Sequence, residues 1–163
     1  MSKRKIIKRV LVTVICVAIL GILLLKLPWR TPVNLEMPCS EIAQDGTLIS
    51  SGKTVTIKGW ELKYLFRKES ELVLESLMLP SFSTPAKTHS DAPLTLSRNK
   101  PSPYTAFGML WDGTDFRGIY ISLEEDWKTC LISLDSGDHY YACSLDGSVP
   151  VSEIVGIHKW ILD

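Results

Sequence analysis

Sixteen consecutive residues, Val10–Leu25 (VLVTVICVAILGILLL), carry no charge, and the nine before them include Lys3, Arg4, Lys5, Lys8 and Arg9. At about 1.5 Å of rise per residue the run gives about 24 Å of helix, and snorkelling by Arg9 and Lys26 extends it across a hydrocarbon core of roughly 30 Å. The sequence therefore predicts residues 10–27 as a transmembrane signal-anchor and 1–9 as a basic cytoplasmic N-terminus. Excess Lys and Arg stay on the cytoplasmic side, which puts the rest of the chain outside the membrane. A cleaved signal peptide would need small residues before the cleavage point, and Leu25-Lys26-Leu27-Pro28-Trp29-Arg30 offers none. Trp29 fits an interfacial aromatic, and Pro28 marks the helix end. Cys16 follows Val14-Ile15 rather than a small residue, so it reads as an apolar thiol in the helix.

The formal charge of zero conceals an asymmetry. Six of the eighteen basic residues precede Pro28 and all eighteen acidic residues follow it, leaving the remainder with a net charge of −6. Phosphate binding needs a basic patch, so nucleic acid is not expected as a partner. The expected partners are the lipid bilayer and a protein or other envelope component.

The expected fold class is mainly β: after the single N-terminal transmembrane helix comes one antiparallel β-sheet, sandwich-like, with a C-terminal amphipathic helix. Residues 28–45 read as a tether, because Thr31–Asp45 has little periodicity and two prolines at 32 and 38, and 46–163 read as the extracytoplasmic β-rich domain. Thr47–Ser50 and Lys53–Lys58 flank Ser51-Gly52 as a β-hairpin would. Apolar parity then changes from Val55 and Ile57 to Trp60, Leu62, Tyr64 and Phe66, with Gly59 as a candidate bulge. Glu71–Leu79 is a further strand ended by Pro80. The segment 80–103, rich in Pro, Ser and Thr, reads as a long surface loop. Tyr104–Trp111, Phe116–Leu123, Trp127–Leu134 and His139–Leu145 form a meander separated by turn residues. Ile154, Ile157, His158 and Ile161 recur at helical spacing, with Ser148 and Ser152 as capping candidates and Gly156 as the weak point.

The most specific inference concerns cysteine. A two-residue turn at Ser136-Gly137 sets Asp135 opposite Asp138, and the same register brings Cys130 opposite Cys143. Counted outward from 135/138, that pair is non-hydrogen-bonded, with Cα atoms roughly 4.5 Å apart, which a disulfide accepts. An exported domain has the appropriate redox setting. Cys39 is then the odd cysteine, placed in the tether, either free or linking two chains.

Other patterns lead nowhere specific. Gly46–Thr54 (GTLISSGKT) has glycines one residue too far apart for a phosphate loop and leads into a strand, so no nucleotide or other cofactor is expected. His89, His139 and His158 lack metal-ligand spacing, and no metal centre is expected. A hard-cation site at Asp112, Asp115 and Glu124–Asp126 would have no EF-hand loop behind it. Trp60, Trp111, Trp127 and Trp160 read as core residues of a small β domain. No catalytic residue is assigned. The expected function is a membrane-anchored, non-enzymatic binding protein of the envelope that uses its acidic C-terminal half and the 80–103 loop as contact surfaces. The alternatives are a small envelope hydrolase using His139 with Asp135 or Asp138, and a regulatory subunit whose helix packs through Gly21 on another membrane protein.

Overall fold

In the computed structural model the apolar run forms α1 (Lys3–Lys26), and the chain turns almost at once into strand β1 (Trp29–Ala43). The structure describes residues 3–64, 70–88, 94–98, 103–124, 126–134 and 139–159. Within α1, Ile7–Lys26 is long and apolar enough to cross a membrane, with a mean hydropathy of 2.5 and, among the described residues, nothing burying it.

The segment expected to be a tether is thus mostly strand. The prolines that suggested otherwise are tolerated for a geometric reason. The amide of Ala43 donates to Thr47 across the β1–β2 turn at 2.9 Å, so odd-numbered residues up to this point direct their amides at β2 (Leu48–Lys63). Pro32 and Pro38 sit at even positions facing the other flank, where β9 (His139–Ser144) reaches only Cys39–Ala43. A missing N–H there removes no bond to β2.

The expected hairpin at Ser51-Gly52 is also absent. β2 runs straight through it, and the turn lies at Gln44-Asp45 instead, closed by the Gly46 amide donating to the Ala43 carbonyl at 2.9 Å. Gly52 has φ +74°, and the β1–β2 register slips between Cys39 and Glu41. A left-handed glycine serves a bulge as well as it serves a turn, which is why the sequence signal was ambiguous.

The remaining strands are β3 (Ser70–Met78), β4 (Ala86–Lys87), β5 (Leu94–Arg98), β6 (Tyr104–Trp111), β7 (Phe116–Leu123) and β8 (Thr129–Leu134). All pairings are antiparallel and run in the order β2-β1-β9-β8-β7-β6-β4-β3-β5, with further pairings of β2 with β3 and of β5 with β6. Those two pairings close the sheet on itself. β4 and β5 both lie between β3 and β6, so they share one position and the ring has eight. The single antiparallel sheet is as expected, but it faces itself as a barrel instead of facing a second sheet. The 80–103 segment is correspondingly more than a loop. Ala86, Leu94 and Leu96 are buried and supply the wall between β3 and β6. His89, in the same segment, lies outside the described residues.

Eight strands enclose a space that side chains can fill. Here it holds Ile57, Leu72, Leu74, Leu110, Ile119, Ile121 and Ile132, all essentially inaccessible. A smaller second cluster lies outside the wall. Ile154 of α2 (Val151–Ile157) covers Ile42, Leu131, Tyr140 and Ala142 there. The helix starts after Pro150, with no side-chain cap from Ser148 or Ser152.

One end of the barrel is sealed by polar groups. Glu61 points inward and accepts the Tyr104 hydroxyl at 3.0 Å and the Lys63 ammonium at 3.0 Å, while Ser70 meets Tyr104 at 2.6 Å. Trp127, at φ +62°, stacks on the Tyr104 ring with centroids 5.2 Å apart. The parity change expected near Gly59 does not occur. Val55, Ile57, Gly59 and Glu61 all face inward, and Trp60 faces out, bonding to the Glu75 carboxylate.

Candidate functional site

Three features outside ordinary apolar packing compete as the site. At the other barrel mouth, the pairing of Glu41 with Tyr141 and of Ala43 with His139 brings Glu41 and His139 together on the inner face, and the pairing of Cys39 with Lys53 adds the lysine. Glu41 is the hub. Its Oε2 accepts the Lys53 ammonium at 2.6 Å and the Ser50 hydroxyl at 2.9 Å, and its Oε1 faces His139 Nδ1 at 3.1 Å. The Lys53 ammonium, aided by the Ser50 hydroxyl, holds the Glu41 carboxyl below the usual carboxylate range despite partial desolvation. The cluster ties β1, β2 and β9 together at the rim.

Just inside the rim, Cys39, Cys143 and Cys130 stand in one row across β1, β9 and β8. Cys130 and Cys143 are directly opposed, as the sequence register predicted. The bond expected between them is not formed, and all four cysteines are free thiols. Their opposition is also of the other kind. Leu145 N donates to Lys128 O at 2.8 Å, and ladder alternation then makes 130/143 a hydrogen-bonded pair. Counting from a two-residue turn at 136–137 gives the opposite phase, and residues 135–138 lie outside those described. Cys39 is likewise not in a tether but buried in β1. Hydrogen bonding to Cys143, with burial second, pushes the Cys39 thiol well above its ordinary range, and burial, with hydrogen bonding to Cys130 second, does the same to Cys143, keeping both protonated.

The second feature lies under α2. His158 is fully buried between Ser122, whose Oγ is 2.7 Å from Nδ1, and Thr129, whose Oγ1 is 3.0 Å from Nε2. Thr129 donates its one hydroxyl hydrogen to Glu124 Oε2 at 2.5 Å. It must therefore accept from Nε2–H, which leaves Nδ1 to accept from Ser122. Burial holds the ring's pKa down to about 4. Serine, histidine and an acid are thus connected, but Ser122 is wholly inaccessible; the chain of bonds fastens α2 to the wall.

The third feature is the outer wall of β6 and β7. Phe107, Met109, Trp111 and Phe116 are between 43% and 71% exposed. Phe107 contacts Tyr120 at 6.1 Å between ring centroids, and Trp111 contacts Phe116 at 5.0 Å. Direct pairings of Phe107 with Tyr120, Met109 with Gly118 and Trp111 with Phe116 make this one continuous patch.

No protein-family model, curated protein or solved structure matches the chain.

Of the residues singled out from sequence, His139 meets Glu41, while its proposed partners Asp135 and Asp138 lie outside the described residues. Trp60 and Trp111 are on the outer wall rather than in the core, and Trp160 lies outside the described residues. The Asp112 carboxylate is occupied within its own turn. It accepts the Thr114 and Asp115 amides at 2.8 Å each and meets Arg117 Nε at 3.1 Å. The Asp115 amide first, then the Thr114 hydroxyl at 2.7 Å and the Thr114 amide, pull its pKa far down. Lys3, Arg4, Lys5, Lys8 and Arg9 all belong to α1, and Trp29 is 67% exposed at the start of β1. Sequence reasoning missed Glu41, Ser50 and Lys53. The polar Glu41 in a proline-flanked stretch carried no visible hint of its partners.

Proposed function

We propose that the chain is a single-pass membrane protein, N-terminus cytoplasmic, whose barrel stands on the outer face and acts there as a non-enzymatic binding module for a protein or envelope component. The membrane half of this reading is supported by an apolar 20-residue helix that no described residue buries, leading directly into the first strand. The lysines and arginines at its start favour a cytoplasmic N-terminus.

The observation that carries the binding half is the aromatic wall of β6 and β7. Four large apolar side chains exposed side by side on a rigid barrel constitute a contiguous patch of the kind that marks interaction surfaces, and aromatic residues dominate such contacts. This moves the expected contact surface away from the 80–103 segment, part of which is built into the barrel.

Site-specific photocrosslinking tests the proposal. A benzophenone side chain at Phe107, in full-length protein within native membranes, is expected to give discrete adducts. The same group at Lys58, exposed on the outer wall of β2, is expected to give none. Equal adducts from both positions, or none from either, would count against the wall as a binding surface.

A further inference from the structure

The barrel is a ring in which the first strand meets the last, and the cysteine row lies across that seam. Cys143 faces two thiols at once: Cys39 on β1 and Cys130 on β8. In an antiparallel strand the N–H and C=O of one residue point to the same neighbour, so Cys143 is hydrogen-bonded toward one cysteine and not toward the other. The Leu145-to-Lys128 bond assigns the hydrogen-bonded side to Cys130. The Ala43-to-Thr47 bond gives the complementary result. Ala43 directs its amide to β2, so 43/139, 41/141 and 39/143 are non-hydrogen-bonded pairs.

The distinction decides which bond fits. A disulfide requires Cβ atoms roughly 3.5–4.5 Å apart. Opposed residues have Cβ separations of roughly 4.5–5.5 Å, the short end belonging to non-hydrogen-bonded pairs. Cys39 and Cys130, two strands apart at roughly 9–10 Å, cannot join without backbone movement. We propose that Cys39 and Cys143 are the pair that oxidises, stapling β1 to β9 at the barrel seam and leaving Cys130 a free thiol. In the cell this rests on the reading that the barrel lies on the outer, oxidising side.

The reaction balances as thiol–disulfide exchange. The two thiols lose two protons and two electrons as their S–S bond forms, and the disulfide of an oxidant, a thiol–disulfide oxidoreductase or glutathione disulfide, is cleaved to two thiols. Because the folded, reduced barrel keeps these sulfurs buried and protonated, the bond forms while β1 is still closing onto β9.

Peptide mapping without reductant tests the assignment. Free thiols are first blocked with N-ethylmaleimide under denaturing conditions. Digestion with trypsin together with a protease cutting before aspartate then separates Cys130 from Cys143 at Asp135 and Asp138. Two samples of the full chain are compared: protein isolated directly from membranes, and reduced protein refolded in detergent with a glutathione redox buffer. The expected result in both is a Cys39–Cys143 linked peptide with Cys130 alkylated. A Cys130–Cys143 link in the refolded sample, a Cys39 link between two chains, or no intramolecular link there would overturn the pairing. A Cys39–Cys143 link after refolding, with all thiols free in the membrane sample, would uphold the pairing and overturn the outer-face location instead.

Discussion

Gly59→Ala is expected to lower the barrel's unfolding free energy by about 3 kcal/mol, which for a domain of this size lowers the thermal midpoint by about 10 °C. A Cβ at this position would lie 2.2 Å from the Val73 carbonyl oxygen, a backbone atom that no rotamer change can move away. The contact is close because the ladder is irregular here. Lys58 pairs with Ser76 but Gly59 pairs with Leu74, leaving Glu75 as the extra residue on β3. This is also the pairing that closes the ring, so a shift of β3 to admit a methyl group would strain the closure. Thermal unfolding of the full chain in detergent reads the effect, with Gly21→Ala as the control, since a Cβ there meets nothing within 4 Å. A Gly59→Ala midpoint equal to that of the control would contradict the close approach of β2 and β3.

Acidification from pH 6.5 to 4 is expected to remove about 3 kcal/mol of stability through His158 alone. The sign follows from burial. In the unfolded chain the imidazole titrates at its ordinary value of 6.5, whereas in the folded protein it resists protonation until about 4. Between those values the unfolded state binds a proton that the folded state does not, so folding weakens as pH falls through the window and the loss levels off below it. Protonation would also oblige Nδ1 to donate where it now accepts from Ser122. His158→Gln keeps one donor and one acceptor but cannot titrate, so its stability should stay flatter over the same range. Carboxylates such as Glu41 and Asp112, whose lowered pKa values also erode stability in acid, are common to both proteins and cancel in the comparison. Parallel stability curves for the two proteins would show that His158 is not buried in its neutral form.

How far the sequence could be read depended on whether a signal was local. The β6–β7 hairpin was legible because Asp112-Gly113 marks a turn between two alternating runs. The opposition of Cys130 and Cys143 was legible because their strands are joined by a short connection. Its hydrogen-bonding phase was not, since phase depends on loop conformation. β1 was hidden by Pro32 and Pro38, whose harmlessness depends on which flank their nitrogens face. β5 was hidden by the Pro- and Ser-rich composition around Leu94 and Leu96. The Glu61–Tyr104 contact was hidden because the two residues lie 43 positions apart. The Glu41–Lys53–His139 cluster depends on two strand registers and a bulge. None of these is written in a sequence window. The fold class was therefore accessible from residue patterns, whereas the closure of the sheet and the composition of its rim were not.

The central claim is that a retained N-terminal helix holds the barrel outside the membrane, and impermeant-maleimide labelling of intact cells tests it most directly. Two single-cysteine reporters suffice, Lys58→Cys on the exposed wall of β2 and Lys8→Cys at the basic start of α1, each read on protein whose mass shows whether the first 27 residues are present. The account expects the full-length mass, labelling at position 58 in intact cells, and labelling at position 8 only after lysis. Labelling of position 58 only after lysis, or a mature chain beginning beyond Leu27, would contradict it.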